Sequence, residues 1–200
     1  TKVTASVLDA ATRLKAIGRA GVGVDNIDLN AAKKRNVTVV NAPMSTSIAV
    51  AELTFGLLLA LAREIPRADA GMKQGKWLKK ELEGAELNGK TLGVIGFGRI
   101  GMELGKRAAA FGMSVVAYDP LISEDEIAKR GAEPVSIQDL YAWSDFISLH
   151  LPLNVQTRDM IGPLAFSQMK NGARIVCAAR GGIIDEAALA AALKSGHLGG

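Results

Sequence analysis

Residues 90–101 read Lys-Thr-Leu-Gly-Val-Ile-Gly-Phe-Gly-Arg-Ile-Gly, and the rest of the chain can be interpreted outward from them. The apolar run at 91–95 is typical of a buried parallel strand. Gly96, Gly98 and Gly101 follow it and fit the pattern G-x-G-x-x-G. In that pattern the first glycine permits a tight turn, the second lets a pyrophosphate approach the backbone, and the third lets helix and strand pack closely.

A helix and an acidic residue complete the pattern. The predicted helix from Arg99 to about Phe111 would point its free N–H groups and positive dipole end at the phosphates. Asp119 follows the next apolar run and lies 18 residues after Gly101, close to the roughly 20 expected for the acid that binds the adenosine ribose. A carboxylate there would repel a ribose 2′-phosphate, and no Arg follows it closely. The sequence therefore predicts NAD rather than NADP, and the alternative is a doubly wound turn that binds no nucleotide.

Composition narrows the class of protein. Hydrophobic residues make up 48% and charged residues 22% of the chain, as in ordinary soluble domains. The net charge is +4, but the basic clusters at 33–35 and 76–80 are interpreted as solvated faces, since aromatic residues are only 4%; no nucleic-acid partner is expected. The longest apolar run, 57–62, is too short to span a membrane. The single cysteine, Cys177, suits a reducing compartment, so a cytoplasmic location is expected.

Strands and helices alternate along the chain. Other strands are predicted at 14–18, 37–40, 114–119, 145–150 and 173–179, and other helices at 6–13, 29–35, 46–63, 65–75, 124–130, 138–142, 163–169 and 186–195. This order predicts an α/β fold with a mostly parallel, doubly wound sheet. Ligands of such sheets bind outside the carboxyl ends of the strands, so one crevice is expected to collect residues 19–23, 96–101, 119, 150–153 and 179–181.

Two segments and the chain ends carry further expectations. The helix at 46–63 is apolar on more than one face, so it is expected to link domains, to form a subunit interface, or both. Residues 76–89 are expected to form an exposed arm. The chain starts at Thr1 without a Met and stops at Gly200, where another strand would be expected, so both ends are interpreted as cut.

Seven motifs in a fixed order identify a family. They are Gly18-Arg-Ala-Gly-Val-Gly-Val-Asp-Asn-Ile-Asp28, Asn41-Ala-Pro43, Ala51-Glu52, Gly96–Gly101, Tyr118-Asp-Pro120, His150-Leu-Pro152 and Ala178-Ala-Arg-Gly-Gly-Ile-Ile-Asp-Glu186. Over its whole length the chain resembles the D-isomer-specific 2-hydroxyacid dehydrogenases. The resemblance implies NAD-dependent hydride transfer with a small-molecule 2-hydroxy acid as substrate.

The resemblance also implies a domain organisation. Residues 1–43 would be part of a flavodoxin-like substrate-binding domain. Residues 44–200 would be a Rossmann NAD-binding domain, incomplete at its C-terminus, that includes the helix at 46–63. That helix would help to form a homodimer or homotetramer.

Site residues are carried over by motif. For the substrate, the N–H groups of Val22 and Gly23 would bind its carboxylate, with Arg19 and Asn41 lining the same pocket. Arg180 would be the catalytic arginine that binds the acid and polarises its oxygen. No metal is expected.

The cofactor residues implied by the resemblance follow the length of the dinucleotide. They include Val22 and the three glycines, Arg99 and Ile100 at the pyrophosphate, Asp119 at the ribose, Leu151 and Pro152 at the adenine, and Ala178, Ala179 and Arg180 at the nicotinamide end.

The chain departs from the family pattern at two points. Where the family has Asn followed by Cys, this chain has Cys177 and Ala178, and no loss of binding is expected; Cys177 lies in a strand without an adjacent base and is not expected to be a nucleophile. The family places its catalytic His, with a carboxylate partner, beyond the position of Gly200. His150 and His197 do not match it and are interpreted as surface or cleft-rim residues.

Other interpretations remain open. Arg180 could instead cap its strand or pair with Asp185 or Glu186. Lys79 and Lys80 could reach a phosphate on a partner subunit's substrate or belong to a solvated arm. The alternative functions are a glyoxylate or hydroxypyruvate reductase of the same family, an NAD-sensing corepressor without enzymatic activity, and a nucleotide-binding fragment without activity.

Overall fold

In the computed structural model, which describes residues 1–200, the chain separates into two units, Thr1–Ala49 and Val50–Gly200. The division falls in the first turn of the longest helix, α3 (Ser47–Ala62). The earlier elements are α1 (Ala5–Ala10), β1 (Ala16–Arg19), α2 (Leu29–Lys34) and β2 (Thr38–Asn41). None of the helices is long and apolar enough to cross a membrane.

The first unit is a small β-α-β arrangement. Strands β1 and β2 pair in parallel, with Arg19 opposite Asn41 at their carboxyl ends. Leu8, Ala32 and Val37 form its buried core. Helix α1 ends at Ala10, three residues before the predicted end, because the Leu14 N–H donates to the Ala11 carbonyl and turns the chain. For the same reason β1 begins at Ala16 rather than at residue 14.

The second unit holds the remaining elements. They are α4 (Ile65–Lys73), β3 (Thr91–Ile95), α5 (Arg99–Ala110), β4 (Ser114–Tyr118), α6 (Glu124–Lys129), β5 (Glu133–Pro134), α7 (Ile137–Trp143), β6 (Phe146–Leu149), α8 (Pro163–Gln168), β7 (Arg174–Cys177) and α9 (Glu186–Lys194). The five strands are all parallel, in the order β5-β4-β3-β6-β7. The predicted doubly wound parallel sheet is therefore confirmed. The strand order reverses between β3 and β6, which is where such sheets bind ligands.

Both faces of this sheet are buried. On one face Leu92 and Val94 pack with Leu58 and Leu104 of helices α3 and α5. On the other face Ile95 packs in the cluster that contains helices α7 and α8. Burial on both sides explains why β3 is apolar at nearly every position instead of alternating.

Two parts of the sheet differ from the prediction. Strand β5 was not predicted, since it has only two residues and one of them is Pro134. The strand predicted at 173–179 ends at Cys177, so residues 178–180 lie beyond the carboxyl edge of the sheet.

Helix α3 is buried along one side only. Ala51, Leu58 and Ala62 are fully buried, whereas Leu53 and Leu57 are 59% and 42% exposed. The segment 76–89, predicted as an exposed arm, has no regular structure and is mostly exposed, although Leu87 joins the core.

Candidate functional site

The first glycine of the motif lies at the point where the strand order reverses. Gly96 has φ +91°, which is the left-handed region that favours glycine. A Cβ on Gly96 would lie 2.6 Å from the carbonyl oxygen of His150, which follows β6. Its N–H donates to the Tyr118 carbonyl at 2.8 Å, at the end of β4. The chain therefore turns tightly between the ends of three neighbouring strands, and no larger residue fits.

The other two glycines have different surroundings. A Cβ on Gly101 would lie 2.4 Å from the Gly96 carbonyl oxygen, so helix α5 crosses the turn at a distance that only glycine permits. Around Gly98 nothing lies within 4 Å of such an atom. Gly98 is also the N-cap of α5 and has no capping side chain, which leaves the first N–H groups of the helix without a side-chain acceptor. Open space beside uncapped N–H groups is what a pyrophosphate requires.

Asp119 lies directly beside this turn. Its Oδ2 accepts a hydrogen bond from the Phe97 N–H at 2.9 Å, and its Oδ1 accepts one from the Leu121 N–H at 2.9 Å. The residue is half-buried, so it stays partly accessible at the end of β4. An ionised carboxylate has about four acceptor positions, and two remain for ribose hydroxyls. The glycine turn, the uncapped helix and this acid together fit an adenine dinucleotide.

His150, at the end of β6, is half-buried. Its Nε2 lies 2.9 Å from the Ser148 Oγ, and its Nδ1 is buried without a hydrogen-bond partner. Burial lowers the pKa of His150 to about 4, so the ring is neutral at physiological pH. The interpretation of this residue as a surface or cleft-rim histidine stays a prediction, although its Nδ1 is enclosed. Leu151 and Pro152 follow it at the carboxyl edge of the sheet.

The surroundings of the second histidine are simpler. His197 is half-buried, and its Nε2 lies 2.8 Å from the Phe166 carbonyl oxygen. Neither of the two histidines is hydrogen-bonded to a carboxylate.

Beyond β7 the chain lines a cavity of about 440 Å³. Its walls include Ala178, Ala179, Arg180 and the side chain of Glu186. The Arg180 Nη1 donates to the Ala179 carbonyl at 2.8 Å, and the Cys177 thiol contacts the Arg180 carbonyl at 3.6 Å. The cavity therefore holds a guanidinium at the carboxyl edge of the sheet.

Asp185, one of the proposed partners of Arg180, has another role. Its carboxylate accepts the Ala188 N–H at 3.0 Å and caps helix α9.

The four residues predicted to bind substrate lie together in the first unit. Arg19 and Asn41 end the paired strands β1 and β2. The Asn41 amide donates to the Val22 carbonyl at 2.7 Å, which fixes the loop that contains Val22 and Gly23. Their binding role stays a prediction.

One residue of the site was missed by the sequence interpretation. The Nη1 of Arg130, at the end of α6, donates to the Phe97 carbonyl at 2.9 Å within the glycine turn. No Arg follows Asp119 closely in sequence, and no motif marks position 130. Its approach results from the return of α6 toward the sheet, which only the tertiary fold specifies.

Comparison with known proteins identifies similar molecules. Residues 55–200 match the family model described as D-isomer specific 2-hydroxyacid dehydrogenase, NAD binding domain. The chain is 54% identical over 199 residues to D-3-phosphoglycerate dehydrogenase of Methanocaldococcus jannaschii, covering 99% of this chain and 38% of that protein. It is 51% identical over 198 residues to hydroxypyruvate reductase of Thermotoga maritima, covering 99% of this chain and 64% of that protein.

A solved structure is similar across the entire chain. D-lactate dehydrogenase of Aquifex aeolicus, in complex with NAD and lactic acid, matches with a TM-score of 0.87 and 38% identity, covering 100% of this chain and 60% of that one. The chain spans about 38% of the length of the curated phosphoglycerate dehydrogenases that it matches.

Proposed function

Because the chain belongs to the D-isomer-specific 2-hydroxyacid dehydrogenase family and carries its NAD-binding domain, we propose that it is part of an NAD-dependent D-3-phosphoglycerate dehydrogenase. The observation that carries this proposal is that the Asp119 turn and Arg180 lie at carboxyl ends of strands of one parallel sheet. The substrate assignment is supported by 54% and 50% identity to proteins of that name. The product would be 3-phosphohydroxypyruvate, an early intermediate for serine.

The proposed chemistry divides between cofactor and protein. When bound, NAD supplies the acceptor for a hydride from C2 of the substrate. The turn at Gly96–Gly101 and Asp119 would hold the adenosine diphosphate half. The Arg180 guanidinium would bind the substrate carboxylate and stabilise the developing carbonyl oxygen through charge-assisted hydrogen bonds. Leu151, Pro152, Ala178 and Ala179 would enclose the adenine and nicotinamide ends.

A base must remove the hydroxyl proton of the substrate. Neither histidine of residues 1–200 is paired with a carboxylate, since His150 contacts a hydroxyl and His197 contacts a carbonyl. We assign the base to a further segment of the protein. A polypeptide of residues 1–200 alone is expected to bind NAD and to oxidise 3-phosphoglycerate negligibly, because acid–base catalysis contributes roughly 10²–10⁴-fold. NADH absorbance measures this, and robust turnover by the 200 residues would return His150 to consideration.

The domain and assembly assignments are part of the same proposal. Residues 1–43 are assigned to the substrate-binding domain and 44–200 to the NAD-binding domain. The exposed leucines of α3 are assigned to a homodimer interface, and a cytoplasmic location is proposed. The roles of Arg19, Val22, Gly23 and Asn41 at the substrate are predictions of the family resemblance.

Replacement of Arg180 tests the activity. In the full-length protein, Arg180→Ala is expected to remove most NADH formation from 3-phosphoglycerate, and Arg180→Lys to retain a small part, because lysine cannot reproduce the bidentate fork. The control is Arg13→Ala, which removes an exposed cation of the first unit. Unchanged turnover in Arg180→Ala would contradict the assignment.

The second candidate is a hydroxypyruvate reductase, favoured by the 51% identity to the Thermotoga maritima protein. Ratios of kcat/KM for 3-phosphohydroxypyruvate, hydroxypyruvate and glyoxylate separate the two. A preference for the unphosphorylated acids would replace the first proposal with the second. In the full-length protein, binding of NAD without turnover of any of them would favour the NAD-sensing corepressor.

A further inference from the structure

The middle residue of the glycine turn is fixed on every side. The Phe97 side chain is fully buried and packs beside Gly105 of helix α5. Its N–H donates to Asp119 at 2.9 Å, and its carbonyl accepts from Arg130 at 2.9 Å. A carboxylate and a guanidinium thus hold the two polar groups of one residue in the turn that faces the pyrophosphate site.

Arg130 is itself held in place. Its Nε donates to the Glu126 carboxylate at 2.9 Å, one turn earlier in α6. The Ser123 hydroxyl caps the same helix by accepting the Glu126 N–H. The Arg130 side chain is 29% exposed, so the ion pair is partly shielded from water. A pre-oriented guanidinium of this kind loses less side-chain entropy for each hydrogen bond than a lysine would.

The bond from Arg130 also determines where the next N–H group points. In a trans peptide unit the carbonyl and the following N–H point in opposite directions, and the structure contains no cis peptide bond. Fixing the Phe97 carbonyl toward Arg130 therefore directs the Gly98 N–H away from it. Gly98 is the N-cap of α5 and has open space around it, so its N–H belongs with the first donors of the helix.

We propose that Arg130 is a positioning residue for the cofactor: it holds the Phe97–Gly98 peptide so that the turn is preformed for the pyrophosphate. The proposal rests on the NAD-binding domain and not on the identity of the substrate. Its test is therefore a binding measurement, which keeps its failure distinct from a failure of the dehydrogenase assignment.

The test compares three variants by calorimetry with NAD. Arg130→Met keeps the length of the side chain but removes every donor, and is expected to weaken NAD about tenfold, the lower limit for a hydrogen bond to a charged group. Arg130→Lys, with a donor that can still reach a carbonyl, is expected to recover part of that loss. Lys129→Met removes the neighbouring exposed cation of the same helix and is expected to bind NAD like the unmodified protein.

Binding of adenosine distinguishes the positioning role of Arg130 from a merely structural role. It lacks the phosphates, so its affinity, measured by NMR titration, should change less than twofold in Arg130→Met. Circular dichroism verifies that each variant is folded. If folded Arg130→Met binds NAD as tightly as the unmodified protein, or loses adenosine and NAD to the same extent, the proposal is overturned.

If Arg130→Met does not fold, two other variants provide the test. Arg130→Lys and Glu126→Gln then decide, since the first reduces the bond to Phe97 and the second releases the guanidinium from its anchor. Each is expected to weaken NAD about two- to fivefold, because part of a charge-assisted bond is lost. NAD affinity equal to that of the unmodified protein in both would overturn the proposal.

Discussion

At the scale of single residues, the Asp119 carboxylate is expected to serve two functions. One oxygen accepts the Phe97 N–H of the glycine turn and the other accepts the Leu121 N–H, and the remaining lone pairs are those proposed to bind the ribose. In the proposed cofactor site, the charge that would exclude a 2′-phosphate therefore also supports the turn that would receive the pyrophosphate. Cofactor choice and cofactor affinity cannot be changed independently at this position.

Replacement of Asp119 should show both effects. Asp119→Ala is expected to weaken NAD by roughly 1.5–3 kcal/mol for each charge-assisted hydrogen bond to the ribose and to narrow the difference between NAD and NADP. Asp119→Asn is the matched variant, since its amide oxygen can still accept from Phe97 while the charge is gone. Calorimetry with both cofactors is the measurement. Equal affinity of the unmodified chain for NAD and NADP would show that the cofactor assignment is wrong.

His150 makes stability depend on pH. Its pKa is about 4 in the folded chain because of burial, against about 6.5 when unfolded. The unfolded chain therefore binds a proton that the folded chain does not, so stability is lost as pH falls from about 6.5 toward 4. Between pH 7.5 and 5.0 the loss from this residue is about 2 kcal/mol.

Urea unfolding at those two pH values measures the effect. His150→Gln should lose about 2 kcal/mol less than the unmodified chain over this range, because a glutamine does not titrate. His197→Gln is the control, since it leaves His150 in place. Identical pH dependence in the unmodified chain and His150→Gln would contradict the buried, neutral state of the ring.

At the scale of elements, the strand, turn and helix of the motif place two glycines in opposite environments. Gly101→Ala would force a Cβ to within 2.4 Å of the Gly96 carbonyl, whereas Gly98→Ala meets nothing within 4 Å. Gly101→Ala is therefore expected to destabilise the fold by about 1–3 kcal/mol through overpacking. Gly98→Ala should leave the melting temperature nearly unchanged and weaken NAD, because its methyl group occupies the pyrophosphate space.

Thermal melting and NAD titration of both variants check this division. Gly56→Ala is a useful control, since its Cβ also meets nothing within 4 Å but the residue lies in helix α3, outside the glycine turn. A large loss of stability in Gly98→Ala, or none in Gly101→Ala, would contradict the described packing.

The same elements show what a sequence can specify. The motif predicted β3, the turn, α5 and Asp119 because local geometry requires glycine and the helix periodicity is strong there. Strand β5 was missed because two residues carry no periodic signal. Arg130 was missed because its contact depends on how α6 packs. Enclosure of the His150 Nδ1 was missed because a polar residue at a strand end has no pattern that reports its enclosure.

At the scale of the whole molecule, the apolar side of α3 remains without a cover. Leu53 and Leu57 are 59% and 42% exposed on a helix whose opposite side is fully buried. Contiguous apolar surface of this kind marks an interaction site. We expect a homodimer that buries these leucines, in which Leu53→Glu and Leu57→Glu favour the monomer.

Light scattering at several concentrations is the measurement for this prediction. Leu121→Glu is the matched control, because Leu121 is 92% exposed but lies elsewhere, after β4. A stable, soluble monomer of the unmodified chain at high concentration would contradict the dimer.

At this scale the family resemblance also predicted more about the protein than local patterns could. Alternating elements predicted a parallel sheet but not its strand order, and the seven motifs in register supplied the family that the comparisons confirm. Neither the pattern nor residues 1–200 specify the assembly or the base, because both are proposed to depend on groups of other segments or of another chain.

Strand β5 has a consequence for the exposed margin of the sheet. It forms one margin of the sheet, and the Val135 N–H that follows it donates inward to the Ala117 carbonyl. Successive residues of a strand point in opposite directions, so the Pro134 nitrogen faces outward, where a foreign strand would need a donor. Proline has none, and the exposed Glu133 adds a charge beside it. Two residues are therefore enough to leave this margin without the outward donor that a pairing strand would use, and Pro134→Ala would restore that donor.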